Sequence, residues 1–385
     1  MLDEYNANSP AASRTAVATL MYHAGVSVDM EYALDGSGTS DFNAATAFIH
    51  YFNYDKGIMF LVRHFYPLSA WKNIVYNELR VKRPVLYFGV SEDGGGHAFV
   101  CDGYQYRDGE DYFHINWGWS GMSDDYFLLT ALDPDSQGIG GSTGGYDFYQ
   151  SIITGIQPPV KGSTIRPQFA LIENLTAAQS TYNRLTENVV TINGFIASYT
   201  ADTIIYQPCL KFTSTDGKIF YLSEQSVYPP CPPLYGLGSC NFDITDFPEK
   251  GIYTVTPAYM VLDENGKNLY DKYFDVLVPL DSIGSLTLTA TPTSLTFSPN
   301  PAGISETETK NAAVYPNPAA DYVTVSASGA IRRITVIDLS GSVQLSVAGN
   351  SDTRQTVDIS RLTAGHYLVR IATAQNTITH KLIVQ

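Results

Sequence analysis

The sequence predicts an α+β segment, helices first and then an antiparallel sheet, followed by two all-β sandwiches. Three observations carry that prediction. Between Ser13 and Arg83, apolar residues recur at the three- and four-residue spacing of helices. After Pro84 the spacing becomes two, in short runs broken by Gly and Asp. From there to the end, Thr, Val and Ile keep recurring in such runs, in a chain that holds 27 Tyr and 18 Phe, a strand-favouring composition.

The first helix is expected over SRTAVATLMYHAG. Ser13 is its N-cap, Ala16, Val17, Leu20, Met21 and Ala24 form one face, and Gly25 stops it. SDFNAATAFIHYF repeats the pattern with Ser40 or Asp41 as cap. LSAWKNIVYNELRVK is the third helix, ended before Pro84 because a residue preceding proline is driven out of helical backbone. PVLYFGV, HAFVCDGY, DYFHINW and DYFLLTAL read as strands, with EDGGG and RDGED as turns between them. Helices followed by antiparallel strands within residues 1–157 make that segment α+β.

Residues 158–291 are strand after strand, among them TADTIIYQPCLKF, KIFYLSEQ, GIYTVTPAYMVLDENGKNLY and YFDVLVPL, at a spacing that suits an immunoglobulin-like β-sandwich. No cluster of His, Cys and carboxylates occurs in them. Asp263, Glu264 and Asn265 before Gly266 read as a hairpin turn, with a metal site as the lesser reading. Pro292 to Thr309 has the composition of a linker, and residues 310–385 form short alternating strands of a small C-terminal β-sandwich.

Composition bounds the function. With 385 residues and 44% apolar content the chain builds packed cores. A net charge of −15 argues against nucleic acid or anionic membrane as the main partner. Residues 310–385 depart from this: seven Lys or Arg against four Asp or Glu give a net +3, which leaves −18 on the rest and marks a separate module. No apolar run of about 18 residues occurs, so no transmembrane segment is expected. MLDEYNANSPAASRT has neither the basic nor the apolar region of a signal peptide. Of the four cysteines, Cys231 and Cys240 flank CPPLYGLGSC, where pairing and free thiols are equally open readings. No cofactor is expected: GIGGSTGG lacks the strand-to-helix context of a phosphate loop.

The chemistry-bearing stretch is GGGHAFVCDGYQYRDGEDYFHINWGWSG, residues 94–121. It sets His97 behind three glycines and Asn116 before Trp117-Gly118-Trp119. Together with AVATLMYHAGVSVDMEY, GSGTS, PVLYFGV, FHINWGWSGMSDDYF and GIGGSTGGYDFYQ, it resembles the streptopain and interpain family of papain-like cysteine peptidases over residues 14–157. At the other end, Tyr315-Pro316-Asn317-Pro318, Asp338-Leu339-Ser340-Gly341, LTAGHY at 362–367 and Lys381-Leu382-Ile383-Val384 resemble the sorting domain of type IX secretion.

The first resemblance implies peptide-bond hydrolysis by a thiolate and an imidazole. His97 matches the general base. Asn116 matches the group that orients it by accepting a hydrogen bond from its other ring nitrogen, and Trp117 would shield that bond from water. Trp119 is expected to pack rather than react. His114 is expected to face away, although it shares strand parity with Asn116. Gly95 and Gly96 would admit substrate backbone. Gly36, Ser37, Gly38 and Ser40 match a cleft-lining stretch, for which a polar connector between helices is an equal reading. Gly140 and Gly141 belong to a mobile loop beside the cleft, where residues 138–145 include five glycines.

The reactive cysteine of the family lies at the start of a central helix, upstream of AVATLM, in a stretch this sequence does not include. Cys101 is a poor substitute. It lies four strand steps from His97, about 13 Å, whereas thiolate and imidazole must come within about 3–3.5 Å. Cys209, Cys231 and Cys240 fall in the sandwich. The expectation is therefore a secreted cysteine endopeptidase whose beginning is missing, Met1 being an internal methionine, and which is inactive as written. The alternative is a non-catalytic secreted or cell-surface binding protein derived from a peptidase. Expected partners are protein or peptide substrates and, through residues 310–385, the type IX secretion machinery. Residues 1–157 alone are expected to be unstable or aggregation-prone.

Overall fold

The computed structural model describes residues 5–384 apart from 7, 35, 92–93, 108, 139–140, 142–143, 227, 301–311, 318, 328, 339–342, 364 and 374–376. Among them are three α-helices, and the remainder of the regular structure is almost wholly strand. No helix among them is long and apolar enough to cross a membrane. The chain divides into two compact units, one ending at Ala302 and the other running from Gly303.

Helix α1 (Ala11–Ser27) begins two residues before the expected cap. Pro10 occupies the N-cap position and its carbonyl accepts from Arg14 N at 3.0 Å, so Ser13 lies inside the helix. Gly25 does not end it. That glycine is the one buried residue of α1, and a Cβ there would stand 1.9 Å from the Tyr32 hydroxyl oxygen. Packing of Tyr32, not helix termination, requires the glycine. The expected apolar face is not covered: Leu20 and Met21 are exposed.

Strands β1 (Glu31–Tyr32) and β2 (Ser37–Gly38) form a small antiparallel hairpin. Helix α2 (Asp41–His50) follows, with Ser40 at its N-cap and Asp41 Oδ1 accepting from Phe42 N at 2.9 Å. Then come β3 (Met59–Val62), α3 (Leu68–Arg80), β4 (Val85–Val90), β5 (Gly96–Arg107), β6 (Glu110–Asn116), β7 (Asp125–Phe127) and β8 (Phe148–Thr154). They build one six-stranded sheet in the order β3-β8-β4-β5-β6-β7. Strands β3 and β8 escaped the sequence reading because Met59–Val62 is four residues long and β8 hides behind a glycine-rich run. DYFLLTAL contributes only its first three residues to the sheet.

One face of the sheet buries Tyr87, Phe99, Cys101, Phe113, Ile115 and Trp117 against Trp71 and Val75 of α3. Burying such a side chain contributes about 1.5–3 kcal/mol. The polar atoms inside are paired: Trp71 Nε1 donates to Tyr87 Oη (2.7 Å), Tyr87 Oη to Gln150 Oε1 (2.9 Å), and Gln150 Nε2 to Leu129 O (2.8 Å). The other face packs Phe42 and Ala45 of α2 with Phe60, Ile153 and Ala201, and Tyr199 lies against the same cluster.

Tyr199 and Ala201 come from the next layer, so the first sheet and the sandwich share a core. The connector between them is tied down as well. Buried Asp55 accepts from Gly57 N (2.8 Å), Val160 N (2.7 Å) and Ser163 Oγ (2.6 Å). Glu78 Oε2 accepts from Gly155 N at 2.9 Å, and Arg83 bonds both Glu78 and Gln157. His50 faces Asp202 at 3.3 Å.

The sandwich has a four-stranded sheet, Thr176–Ala177, Val189–Ser198 and Gly236–Asp243 with Phe169–Leu171 beside Val189–Ser198. Its seven-stranded partner includes Ile205–Ser214, Ile219–Ser223, Gly251–Leu262 and Leu286–Ala290. One apolar core joins the two. Ser294–Pro299, inside the stretch read as linker, is a strand of that larger sheet, paired with Leu286–Ala290. Its Leu295 and Phe297 are buried, and two core side chains at alternating positions make a strand despite the flanking prolines. YFDVLVPL yields only Phe274–Asp275. Asp263 Oδ1 accepts from Asn265 N and Lys267 N at 2.9 Å, the hairpin turn expected there. Cys231 and Cys240 are unpaired.

In the second unit, Ala312–Tyr315, Tyr322–Ala327 and Arg354–Asp358 form one sheet. Ile331–Asp338, Val343–Ala348, Gly365–Thr373 and Thr377–Val384 form another, and buried Val323, Ile334, Val369 and Leu382 fill the space between. Of the motif residues, Pro318, Leu339, Ser340, Gly341 and Ala364 lie outside the described residues.

Candidate active site

His97 sits one residue into β5, opposite Gly89 of β4. Strand alternation points it to the same face as Phe99 and Cys101, toward the cluster that contains Phe113, Ile115 and Trp117. Gly89 is what admits the neighbouring chain there: a Cβ on it would fall 2.3 Å from the Tyr146 carbonyl oxygen. The Tyr146 ring stands 5.3 Å from the imidazole.

The hydrogen bond of His97 differs from the expected one. Its Nε2 lies 2.8 Å from the backbone oxygen of Trp117. Asn116 is turned elsewhere. It precedes Trp117 by one residue, so alternation places its side chain on the opposite face, and its Oδ1 accepts from Gly118 N at 2.9 Å. That short turn, with Gly118 at φ +80°, aims the Trp117 carbonyl at His97. Trp117 itself is anchored by Asp124 Oδ1, which accepts from its backbone N (2.9 Å), and by Ser123 O, which accepts from its indole N–H (3.1 Å). Asn116 thus acts on the turn, and the carbonyl after it acts on the histidine.

A carbonyl oxygen only accepts, so this bond requires the proton on Nε2 and leaves the lone pair of the neutral ring on Nδ1. Burial depresses the His97 pKa below its ordinary value, and the Trp117 carbonyl partly opposes that. The neutral ring is therefore the resting form at neutral pH. Trp117 is fully buried, its ring 6.3 Å from the imidazole. Trp119, read from sequence as packing, is nearer: its ring stacks on His97 at 4.6 Å and 18°.

His114 faces away from this cluster. Its Nδ1 is 2.6 Å from Asp102 Oδ1, and its ring meets Tyr126 edge-on. Gly95 and Gly96 follow a turn closed by Ser91, whose Oγ accepts from Gly95 N at 3.1 Å; a Cβ on Gly96 would meet nothing within 4 Å. Ser37 and Gly38 pair with Tyr32 and Glu31, Gly36 turns the hairpin at φ 152°, and Ser40 heads α2. Among the described residues, the hydrogen bonds around this stretch run to the C-cap of α1 and to α2, as in Thr39 Oγ1 and Asn43 Nδ2 both reaching Val28 O, and none of them involves the His97 cluster. Gly141 N donates to Gly138 O at 3.0 Å, and Gly138 abuts Trp119; Gly140 lies outside the described residues.

Cys101 is fully buried with its thiol pKa pushed far up by burial, and Phe99 stands between it and His97 on the strand. Cys209, Cys231 and Cys240 are buried in the sandwich. Among the described residues no group of three His, Cys, Asp or Glu is placed to hold a metal ion.

A strand-borne imidazole, fixed through Nε2 and walled by aromatic rings, lies within the segment that the comparisons relate to cysteine peptidases. Residues 1–127 match the model of the peptidase C10 family, and residues 313–385 match the secretion system C-terminal sorting domain. Streptopain of Streptococcus pyogenes is 36% identical over 158 residues, 41% of this chain and 39% of that protein. The thiol protease/hemagglutinin PrtT of Porphyromonas gingivalis is 43% identical over 144 residues, 37% of this chain and 16% of that protein. A fragment of Prevotella intermedia prointerpain A is 33% identical, covering 41% of this chain and 46% of the fragment at a TM-score of 0.33. The chain spans about two fifths of the length of the streptopain it matches. It carries a homologue of the cysteine peptidases joined to a secretion sorting domain.

Proposed function

We propose that the first unit supplies the base side of a streptopain-type peptidase site, and that the chain is carried to the exterior or the cell surface by residues 310–385 acting on type IX secretion machinery. The observation that carries the first half is the 2.8 Å contact between His97 Nε2 and the Trp117 carbonyl. It leaves Nδ1 as the basic nitrogen. Such a base takes the proton of an attacking thiol and returns it to the leaving amine of a protein or peptide substrate. Trp117 contributes its carbonyl as well as its ring, and Asn116 contributes by shaping the turn.

The 385 residues, as they stand, bring no thiol to His97. Cys101 shares the strand face but lies about 13 Å along it, deep in the core. The chain by itself is therefore expected to be catalytically silent.

Casein hydrolysis and labelling by an epoxysuccinyl-peptide probe test this. The expected result is neither reaction from the chain alone, and hydrolysis when the cysteine-bearing remainder of a C10 peptidase domain is supplied in trans, lost on His97→Ala. Hydrolysis by the chain alone that disappears in Cys101→Ser would overturn the silent reading. Trans hydrolysis indifferent to His97→Ala would overturn the base assignment.

A further inference from the structure

We propose that Trp119 is a positioning residue for His97, and that Gly138 holds its indole in place, so that the glycine-rich loop and the base are coupled through a single ring. This rests on the reading of His97 as general base.

The rings of His97, Trp117 and Trp119 are nearly parallel: His97 and Trp119 make 18° at 4.6 Å, Trp117 and Trp119 make 13° at 5.8 Å. Trp119 therefore covers one face of the imidazole. Backbone also presses on this indole. A Cβ on Gly138 would fall 2.5 Å from Trp119 Cδ1 and 2.6 Å from Cγ, an approach open only to glycine. No turn geometry demands this glycine; the indole does.

The residues around Gly138 are anchored to the same body as the Trp117 carbonyl. Ser123 Oγ donates to Ser136 O at 2.8 Å and accepts from Ser136 N at 3.1 Å, while Ser123 O receives the Trp117 indole N–H. Tyr146 Oη donates to Gln137 Oε1 at 3.2 Å. The stem of the loop and the turn that aims the carbonyl thus form one hydrogen-bonded assembly, and the ring over His97 packs against Gly138 beside it. Among the described residues, the aromatic side chains facing His97 are Phe99 from its own strand, Trp117 and Trp119 from the turn after β6, and Tyr146 ahead of β8, and none of these four is charged at neutral pH.

An indole face attracts an imidazolium more than a neutral imidazole. The stack therefore favours the protonated base that exists midway through the reaction, and it resists rotation of the ring away from Trp117 O. Trp119→Leu keeps an apolar cover but removes the π face. Titration of the His97 ring by NMR in the full chain should then show the midpoint fall by about half a pH unit. Trp119→Phe should recover most of that fall. Gly138→Ala leaves Trp119 in the sequence but displaces its ring, and should shift the midpoint in the same direction as Trp119→Leu, with the thermal transition confirming that each variant folds.

A midpoint unmoved in both Trp119→Leu and Gly138→Ala overturns the proposal. A shift in Trp119→Leu alone overturns the coupling to the loop. If instead the proton resides on Nδ1 of His97 in the unchanged protein, the base assignment fails, whatever Trp119 does.

Discussion

His97 Nε2 is bonded to the carbonyl of Trp117, not to the side chain of Asn116, because the two residues alternate onto opposite faces of the turn that ends β6. Two substitutions separate their roles. Asn116→Ala removes one exposed hydrogen bond, costs about 0.5–1.5 kcal/mol, and, by loosening the turn, weakens the His97 Nε2–H signal without abolishing it. Gly118→Ala forces a non-glycine residue to φ +80° and is expected to cost about 1 kcal/mol or more and to weaken that signal. Urea unfolding and NMR of the ring nitrogens measure both effects; loss of the signal in Asn116→Ala would contradict the carbonyl assignment.

Acid should destabilise the first unit. Burial depresses the pKa of both His97 and His64, opposed at His97 by the Trp117 carbonyl and at His64 by Asp281. Each ring binds its proton more readily unfolded than folded. Their contribution is therefore complete above the ordinary value of 6.5 and is lost as pH falls from there through the depressed folded values. Urea midpoints should be lower at pH 5.5 than at 7.5, and His64→Gln should flatten part of the difference. Rising stability on acidification would refute the account.

The four thiols should be inert in the folded chain. Burial raises every one of them: Cys209 and Cys231 to about 11, Cys240 to about 12, Cys101 further still. A thiol reagent such as DTNB should react only as denaturant unfolds the protein, and rapid labelling of Cys101 under native conditions would count against its place in the core.

The sandwich should stabilise the peptidase-like sheet. Tyr199 stacks on Phe60 at 6.1 Å and 5°, and meets Phe65 edge-on at 5.6 Å. Tyr199→Ala is expected to cost about 2–4 kcal/mol, and residues 1–157 expressed alone should show no cooperative thermal transition. A two-state melt of that fragment would show that the shared core is dispensable.

Much of this was legible in advance. The three helices, the strands after Pro84 and the β-rich remainder follow from periodicity, and His97 stood out from its glycines and the downstream NWGW. The misses have physical causes. Ser294–Pro299 carries only six residues between prolines, too few for alternation to outweigh linker composition. Gly25 carries the sequence mark of a helix stop, but only the position of Tyr32 reveals that the glycine serves packing. Trp119 stacks on His97 across a turn, and a turn has no periodicity from which the encounter could be read.

Local chain preference and hydrophobic spacing, which act between residues close in sequence, determined the element types, while the base candidate and the sorting module were legible only through motifs that resemble known families. The partner of His97 Nε2, the indole over its ring, the burial of Cys101 and the core shared with the sandwich were decided by tertiary structure. Each depends on which side of a strand or turn faces a residue that is distant along the chain, and only packing sets that.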